Sequence, residues 1–215
     1  IALAQPKIIQ KANKAFASEN YSLATQLCAD AYAKTDRNKR RKGDMAYKCA
    51  LSYRYIENYV KANEWLDKCV LLDYQDIEPE VYLHNGDMLL MMTSYEKAIE
   101  NFELYLTLVP GDDRAKIGIE SCNSAKAFIA ERTRHIVKNM ELINAEEFDM
   151  APMWGDRKKT KMYYSSSREG STGRAEDPRS GEGYMDLWVT TFDKKGNPKQ
   201  PKVISNELIN TIDNE

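Results

Sequence analysis

Long apolar runs, histidine and net charge are all scarce in this sequence. No run of apolar residues approaches the roughly 20 that a membrane-spanning helix needs. The net charge is −2, which argues against nucleic-acid binding, because proteins of that class are usually strongly basic. The only histidines, His84 and His135, lie far in sequence from any cysteine, so the chain has no zinc-binding pattern.

Cysteine is also sparse, with four residues that are widely spaced and form no Cys-x-x-Cys pair. An even number in an exported protein is compatible with two disulfides. Each of the four, however, lies on the apolar face of a predicted helix, where free cysteine packs as a small hydrophobe. The sequence therefore predicts buried free thiols at Cys28, Cys49, Cys69 and Cys122.

The first half of the chain contains a repeated pattern. Each of the segments 20–24, 58–62 and 94–98 has a polar residue, a tyrosine, two variable residues and an alanine. The alanines are 38 and 36 residues apart. The residues twelve positions before them are Ala12, Ala50 and Gly86, and those seven positions after them are Ala31, Cys69 and Tyr105. This spacing predicts antiparallel helix pairs that stack into a solenoid, because no pair buries its apolar face alone.

This pattern resembles the tetratricopeptide repeat over about residues 6–110. The third copy is the best match, through Gly86, Tyr95, Ala98, Phe102 and Pro110. The period is slightly longer than the usual ~34 residues, and Tyr105 stands at a normally small site. We expect the extra length in loops between the repeats, at 36–43 and 74–79.

A seventh helix is predicted from about residue 112 to residue 134. Asp112 and Asp113 suit its N-terminus, where carboxylates meet unpaired backbone amides and the positive end of the helix dipole. A solenoid needs a terminal element that covers its last apolar face. The residues predicted to cover it are Ile117, Ile119, Cys122, Ala125 and Phe128.

The pattern becomes strand-like after residue 134. Strand-forming and alternating residues predict strands at 162–168 and 186–192 and a short strand from residue 202. Turn-forming residues mark 154–157 and 194–198. The polar stretch 169–183 predicts a long loop, a type of segment that is often either functional or disordered.

The four residues Glu-Leu-Ile-Asn at 141–144 return at 207–210, 66 residues later. Several predicted short strands lie between the two copies. Repetition of a four-stranded antiparallel unit at such a spacing is typical of β-propeller blades. Residues 135–215 are therefore interpreted as a first blade and the start of a second. Because a propeller needs roughly four to eight blades, the chain is expected to be a piece of a longer protein.

The predicted fold class is thus α and β in separate domains. Residues 5–134 form an all-α solenoid of three helix pairs with a C-terminal capping helix, and residues 135–215 form the all-β, incomplete propeller. Residues 1–4 are interpreted as the remnant of an export signal, because Ala2-Leu3-Ala4 has the small-x-small pattern of a cleavage site. An N-terminal tail is the alternative.

The second half also resembles the PD40, or WD40-like, repeat of TolB-like propellers. The residues that carry this resemblance are Asn144, 148–152, 163–168, Gly170, Gly173, 186–188, 209–211, Asn214 and Glu215. Tetratricopeptide repeats followed by such a propeller resemble the PorE-like, OmpA-family periplasmic proteins of the type IX secretion system.

The resemblance implies a non-enzymatic scaffold without a cofactor, located in the periplasm and associated with the outer membrane. It implies a role in linking secretion or gliding machinery to peptidoglycan, which would be bound by a domain outside this chain. The implied protein partners are a PorP/SprF-like outer-membrane protein and PorK/PorN-like ring proteins.

The inner face of a helical solenoid is the default site for a peptide or a protein partner. Tyrosine and arginine are favoured anchors there, because they give large contact area or forked hydrogen bonds. The form of the tetratricopeptide repeat that captures a peptide C-terminus needs a specific set of lysine, asparagine and arginine residues. Only Asn13 of that set is present, so such capture is not expected. The residues predicted on the inner face are Asn13, Tyr47, Leu51, Arg54, Tyr55, Asp87, Leu90 and Met91.

Five cations fall within the six residues 37–42, in a segment predicted to be a loop. They are Arg37, Lys39, Arg40, Arg41 and Lys42. Such a cluster can dock an acidic partner or anionic headgroups, at about 1 kcal/mol per charge near such a surface. A solvated loop without a partner is the alternative.

No catalytic arrangement is evident in the sequence. The serines at 165–167 lack the Gly-x-Ser-x-Gly frame of a nucleophile elbow, and Gly-Ser-Thr-Gly at 170–173 lacks the frame of a phosphate-binding loop. Two other interpretations remain open. The chain is an accessory part of a propeller-containing hydrolase, or it is a periplasmic chaperone that holds peptides in the groove of residues 5–134.

Overall fold

The structure is a computed structural model that describes residues 6–35, 37–131, 134–172, 175–206 and 208–211. Helices occupy the first part of the described chain and one antiparallel sheet the second, and each forms a compact unit. The separation into α and β parts that the sequence predicts is confirmed at this level. The predicted signal remnant at 1–4, Gly173 and the motif residues Asn214 and Glu215 lie outside the described residues.

In the helical unit, each helix packs against the next one in chain order. Asparagine side chains cap two of the turns that join partner helices, since Asn20 accepts from the Leu23 amide at 3.2 Å and Asn58 from the Lys61 amide at 3.1 Å. The helices are α1 (Lys7–Ala17), α2 (Tyr21–Ala33), α3 (Lys39–Tyr55), α4 (Tyr59–Leu71), α5 (Glu80–Met91), α6 (Tyr95–Leu108) and α7 (Asp113–Ala130).

The repeated small residues lie where the helices meet. All the small residues of the repeat that were predicted to allow close approach are buried, and so is Tyr105, the large residue at a normally small site. At Gly86 the reason for the small residue is direct, because a Cβ placed there would lie 2.5 Å from the ring of Phe102. These buried positions are Ala12, Ala24, Ala31, Ala50, Ala62, Cys69, Gly86, Ala98 and Tyr105.

The prediction of a loop over 36–43 is wrong. Helix α3 begins at Lys39, after Asn38 caps it by accepting from the Arg41 amide at 2.9 Å. Gly43 lies inside the helix and is packed against Tyr74, a ring that a Cβ at this position would meet. The other predicted insertion, at 74–79, contains a 3-10 helix over Tyr74–Asp76, and its buried tyrosine fills the space above Gly43.

Helix α7 is confirmed, but the residues that it buries differ from those predicted. Its inward face consists of Ala115, Gly118 and Cys122. Ile117 and Phe128, which were expected to cover the last apolar face, are exposed. The helix packs too closely on Phe102 for large side chains, because a Cβ at Gly118 would lie 2.5 Å from that ring.

All four cysteines are free and buried, as the sequence predicts. Burial raises the pKa of the Cys28 thiol to about 12, and it also raises the pKa values of the other three thiols. These thiols therefore pack as small hydrophobes and are poor nucleophiles.

The residue before each helix-pair cap has a left-handed backbone, with φ of 57° at Glu19, 61° at Glu57 and 59° at Thr93. A β-branched residue is strained in this region, whereas glycine adopts it freely. We expect Thr93→Gly to raise the unfolding free energy of the helical unit by about 1 kcal/mol, measured by urea denaturation followed by circular dichroism. Thr93→Ala keeps the Cβ and should gain little. An unchanged or lower midpoint for the glycine variant would show that the strain is negligible.

The second unit contains a four-stranded antiparallel sheet in the order β1-β2-β3-β4. The strands predicted at 162–168 and 186–192 are confirmed but end at residues 166 and 191, and the short strand begins at residue 202 as predicted. The first strand, β1, was not among the strands predicted. A bulge between Met150 and Met153 interrupts the first pair, and Ala151 within it has φ of 53°. The strands are β1 (Asp149–Trp154), β2 (Lys161–Ser166), β3 (Asp186–Thr191) and β4 (Lys202–Val203).

The core of the sheet is small, and an ion pair that is largely covered lies against it. Tyr164 and Trp188 are cross-strand partners, and Ile143 from the preceding turn packs against them. The guanidinium of Arg168 lies 5.2 Å from the centroids of both rings and donates to Asp149 Oδ1 at 2.6 Å.

The predicted long loop is attached to this sheet. The hydroxyl of Thr172 donates to both carboxylate oxygens of Asp186, at 2.9 and 2.8 Å, and Asp186 is buried. A bridge between Glu176 and Gly183 closes the other end of the loop. Residues 173–174 lie outside the described part of the chain, so these contacts concern only the loop on either side of them.

Candidate functional site

A concave surface of the helical unit lies between the C-terminal ends of α3 and α5. It is an open groove of about 460 Å³. Five of the eight residues predicted on the inner face line it, and they come from two helices that share one orientation in the repeat. These residues are Arg54, Tyr55, Asp87, Leu90 and Met91.

An exposed aromatic ring forms one wall of this groove. Tyr55 is 48% exposed, although its ring is stacked on Tyr21 with centroids 4.2 Å apart and an interplanar angle of 20°. The ring of Phe16 meets the Tyr21 ring edge-on, with centroids 5.8 Å apart. The stack holds the Tyr55 ring in place, so that little side-chain entropy is lost when a partner covers it.

Methionine and leucine side chains form the opposite wall. Met91 is 55% exposed, and Leu90 beside it is half-buried. An unbranched thioether fits irregular apolar partners, which is why methionine is common at adaptable binding surfaces. The two walls together give an apolar groove that can take a side chain of a partner protein.

An ion pair between Arg54 and Asp87 also lines the groove. A guanidinium nitrogen of Arg54 is 3.5 Å from Asp87 Oδ2, and both side chains are about one third exposed. His84 Nδ1 is 3.7 Å from the same carboxylate. An ion pair this open to water stabilises the fold by at most about 1 kcal/mol, so its groups are available to bind a partner.

Three of the predicted inner-face residues do not line the groove. Tyr47 is buried, with its ring stacked on His84 at 6.0 Å, and burial raises its pKa. Leu51 is half-buried and packs against the core. Asn13 accepts a hydrogen bond from Lys48 Nζ at 2.7 Å. These three residues have mainly structural contacts.

Three lining residues were absent from the prediction, namely Glu57, Tyr59 and Met88. Tyr59 is the repeated tyrosine of the second helix pair, and Glu57 is the left-handed residue of the same turn. The repeat itself therefore contained the signal for these two, because the groove lies at the turn end of the helices. Met88 is buried and forms the floor.

The basic cluster predicted at 37–42 lies at the start of α3, apart from the lining of the groove. Only Arg37 precedes the helix and its cap. Lys39 pairs with Asp73 at 3.3 Å, and the ammonium of Lys42 lies 4.7 Å from the centroid of the Tyr32 ring. Arg40 is exposed, and Arg41 is half-buried. The positive end of the helix dipole is an unfavourable place for these cations.

Two further findings concern the described residues only. Within them, no group of three or more histidine, cysteine, aspartate or glutamate side chains is placed to hold a metal ion. None of their helices has both the length and the apolar character needed to cross a membrane.

No protein-family model and no curated protein matches this chain.

Proposed function

We propose that this chain is a non-enzymatic scaffold that binds another protein through the groove between α3 and α5. The main support for this proposal is the exposure of Tyr55 and Met91, which form the two walls of the groove. Both side chains are about half exposed although they stand next to a packed core. Aromatic residues, methionine and arginine are the residue types enriched at protein interfaces, and this groove has all three.

The helical unit is proposed to be a tetratricopeptide-type solenoid. The support is the burial of the repeated small residues, together with capped turns at equivalent positions of the helix pairs. Solenoids of this kind bind proteins on the inner helices of each pair, and the groove is lined mainly by α3 and α5.

The sheet is proposed to be the first blade of a PD40-type propeller. Its support is the antiparallel order of four strands and the return of the Glu-Leu-Ile-Asn segment after the last of them. A solenoid followed by a propeller supports a scaffold, because both are repeat folds that commonly present binding surfaces.

The proposed location is the periplasm, in association with the outer membrane, as part of a type IX secretion system. The order of the two repeats along the chain supports it. The proposed partners are a PorP/SprF-like outer-membrane protein and PorK/PorN-like ring proteins. Peptidoglycan would be reached through a domain outside this chain.

The groove is tested by a double substitution, Tyr55→Ala with Met91→Ala, introduced into the tagged protein in its native cells. After gentle crosslinking and affinity capture, quantitative mass spectrometry compares the envelope proteins that are recovered. We expect recovery of the main outer-membrane or ring component to fall about tenfold or more, because anchors of this kind contribute above about 1 kcal/mol each.

Ile117→Ala is the matched control, since Ile117 is an equally exposed apolar residue outside the groove. It should leave the recovery unchanged, and circular dichroism should show the same helical melting for all three proteins. If the double variant and the parent recover the same partners in equal amounts, the groove is not the binding site. If the parent recovers no envelope protein, the scaffold proposal fails.

A further inference from the structure

The described residues of the two Glu-Leu-Ile-Asn copies, which leave out Glu207, form the same turn. In the first copy, the amides of Ile143 and Asn144 both donate to the carbonyl of Met140, at 2.7 and 2.9 Å. In the second, the amides of Ile209 and Asn210 both donate to the carbonyl of Asn206, at 2.9 Å each. Equivalent residues thus make equivalent bonds, so the sequence repeat is also a structural repeat.

In the second copy, the asparagine binds the sheet that precedes it in the chain. Asn210 Oδ1 accepts from the Leu187 amide at 2.8 Å, and its Nδ2 donates to the carbonyls of Leu187 and Ile204, at 3.0 and 2.9 Å. The side-chain amide acts as an extra peptide group that joins β3 to the chain just after β4. Asn210 is buried by these contacts.

In the first copy, the isoleucine binds the sheet that follows it in the chain. Ile143 is only 4% exposed and packs with Tyr164 and Trp188. Its carbonyl accepts a hydrogen bond from the guanidinium of Arg168. This isoleucine therefore fixes the turn to the sheet that begins with β1.

Among the described residues, each copy makes only one of these two sets of contacts. Ile209 is 51% exposed, whereas its equivalent Ile143 is buried. Asn144 is exposed and donates to the side chain of Asn139 at 2.6 Å, whereas its equivalent Asn210 binds two backbone segments. In the first copy the isoleucine packs against a sheet, and in the second copy the asparagine binds one.

We propose that this segment is a two-sided joint between successive sheets, and that Asn144 binds the end of a β3–β4 strand pair in another sheet of the same protein. The asparagine binds the outer strands of the sheet that precedes the segment in the chain. The isoleucine packs into the core of the sheet that follows it. Asn144 has no such strands to bind, since none of the described residues before it belongs to a sheet.

The surface beside Asn144 fits such an occupant. A small, mainly apolar groove of about 150 Å³ is lined there by Met140, Ile143 and Met150, among others. Met150 and Met153 on β1 are also exposed. A second sheet packed against these residues would bury this apolar surface. The backbone groups at the ends of its strands would form hydrogen bonds with the side-chain amide of Asn144.

The occupant is assigned to the same protein and not to a second copy of this chain. In every copy of the chain, the amide and carbonyl of Leu187 are already bound by its own Asn210. The matching strand pair must therefore belong to a sheet that is not followed by such a turn. A last sheet in a series has this property, so the contact would close a ring of sheets.

A photoreactive leucine analogue with a diazirine, placed at position 144 or 210 of the protein made from its complete gene, tests this joint. After irradiation, mass spectrometry identifies the linked peptides. Position 210 is the internal control and should link to peptides that contain Leu187 or Ile204. Position 144 should link, within one polypeptide, to a strand outside residues 135–215.

Links from position 144 that stay within residues 135–150, or that lead to a different protein, would overturn the proposal. If a labelled protein fails to fold, alanine variants provide the second measurement. In the 215-residue chain, Asn210→Ala should lower the melting temperature of the sheet by about 4 °C or more, whereas Asn144→Ala should not change it. In the protein from the complete gene both should lower it, and no effect of Asn144→Ala there also overturns the proposal.

This inference rests on the hydrogen bonds of the two turns and not on the groove of the helical unit. The binding proposal and the joint can therefore fail separately. A protein that lost partner binding through Tyr55 and Met91 would still show the link from position 144.

Discussion

Replacing Phe102 with alanine is expected to lower the unfolding free energy of the helical unit by about 3 to 5 kcal/mol. Phe102 is fully buried on α6, within a cluster that includes Leu83, Leu89 and Tyr105. Its ring lies between Gly86 on α5 and Gly118 on α7, neither of which has a side chain that could move into the space. The cavity would therefore stay largely open, which places the cost toward the upper end of the range.

Matched substitutions test whether the two glycines are present because of this ring. Gly86→Ala and Gly118→Ala should each cost about 1 to 3 kcal/mol in the parent, because the added Cβ overlaps the ring. In the Phe102→Ala background the same substitutions should cost much less, since the space is empty. Urea unfolding followed by far-ultraviolet circular dichroism measures all six proteins. Additive costs would contradict the packing argument.

Replacing Arg168 with leucine is expected to destabilise the sheet by about 3 to 5 kcal/mol, because it leaves the Asp149 carboxylate buried without its partner. The two side chains are only 12% and 14% exposed, and they are 2.6 Å apart. The guanidinium also donates to Ser166 Oγ at 2.8 Å and covers the rings of Tyr164 and Trp188. Hydrogen exchange of the β2 and β3 amides, read by mass spectrometry, reports the change locally.

The control is the double variant Arg168→Leu with Asp149→Leu, which removes both charges. Because replacement of a buried pair by apolar residues is often nearly neutral, the double variant should recover much of the lost protection. If the single Arg168 variant exchanges as slowly as the parent, the pair does not hold the sheet together.

The same pair makes the sheet sensitive to acid. Burial alone would raise the pKa of Asp149, but hydrogen bonds from the Ala145 amide, Ser166 and Arg168 hold this pKa below its ordinary value. A carboxylate with a lowered pKa stabilises the fold above the pKa of the unfolded chain, near 3.9, and this contribution is lost as the pH falls through the folded pKa. Protection of β2 and β3 should therefore decrease below about pH 4.

The repeat spacing was sufficient to predict most of the helical unit. Residues such as Ala24 and Ala62 recur because two helices touch there, and this local requirement leaves a periodic trace in the sequence. The strands 161–166 and 186–191 were predictable for a similar reason, since alternation marks a half-buried sheet. The assignment of these units to tetratricopeptide and propeller families remains a prediction.

The start of α3 was missed because its cause is a long-range contact. Five cations and a glycine are typical of a loop, but Gly43 is in a helix because Tyr74, 31 residues later, packs against it. The composition of a segment carries no information about a ring that arrives from elsewhere in the chain. Ile117 and Phe128 were misassigned similarly, since α7 needs its small residues at Phe102.

The candidate groove was predicted in part. The helical period placed Arg54, Tyr55 and Met91 on the inner face, and they do line one groove. It also placed Tyr47 there, but the inner face of a helix contains both exposed and covered positions. Tyr47 is covered by Tyr74 of the 3-10 helix and by His84. These contacts depend on tertiary packing, so the burial of Tyr47 could not be predicted from the helical period.

The most direct test of the scaffold account is site-specific photocrosslinking from the groove itself. A benzophenone amino acid replaces Tyr55 in one protein and Ile117 in another, and both are irradiated in intact native cells. The account predicts that position 55 links to one defined outer-membrane or ring protein of the secretion machinery, and that position 117 does not. Equal patterns from the two positions, or no protein link from position 55 in a folded protein, would contradict it.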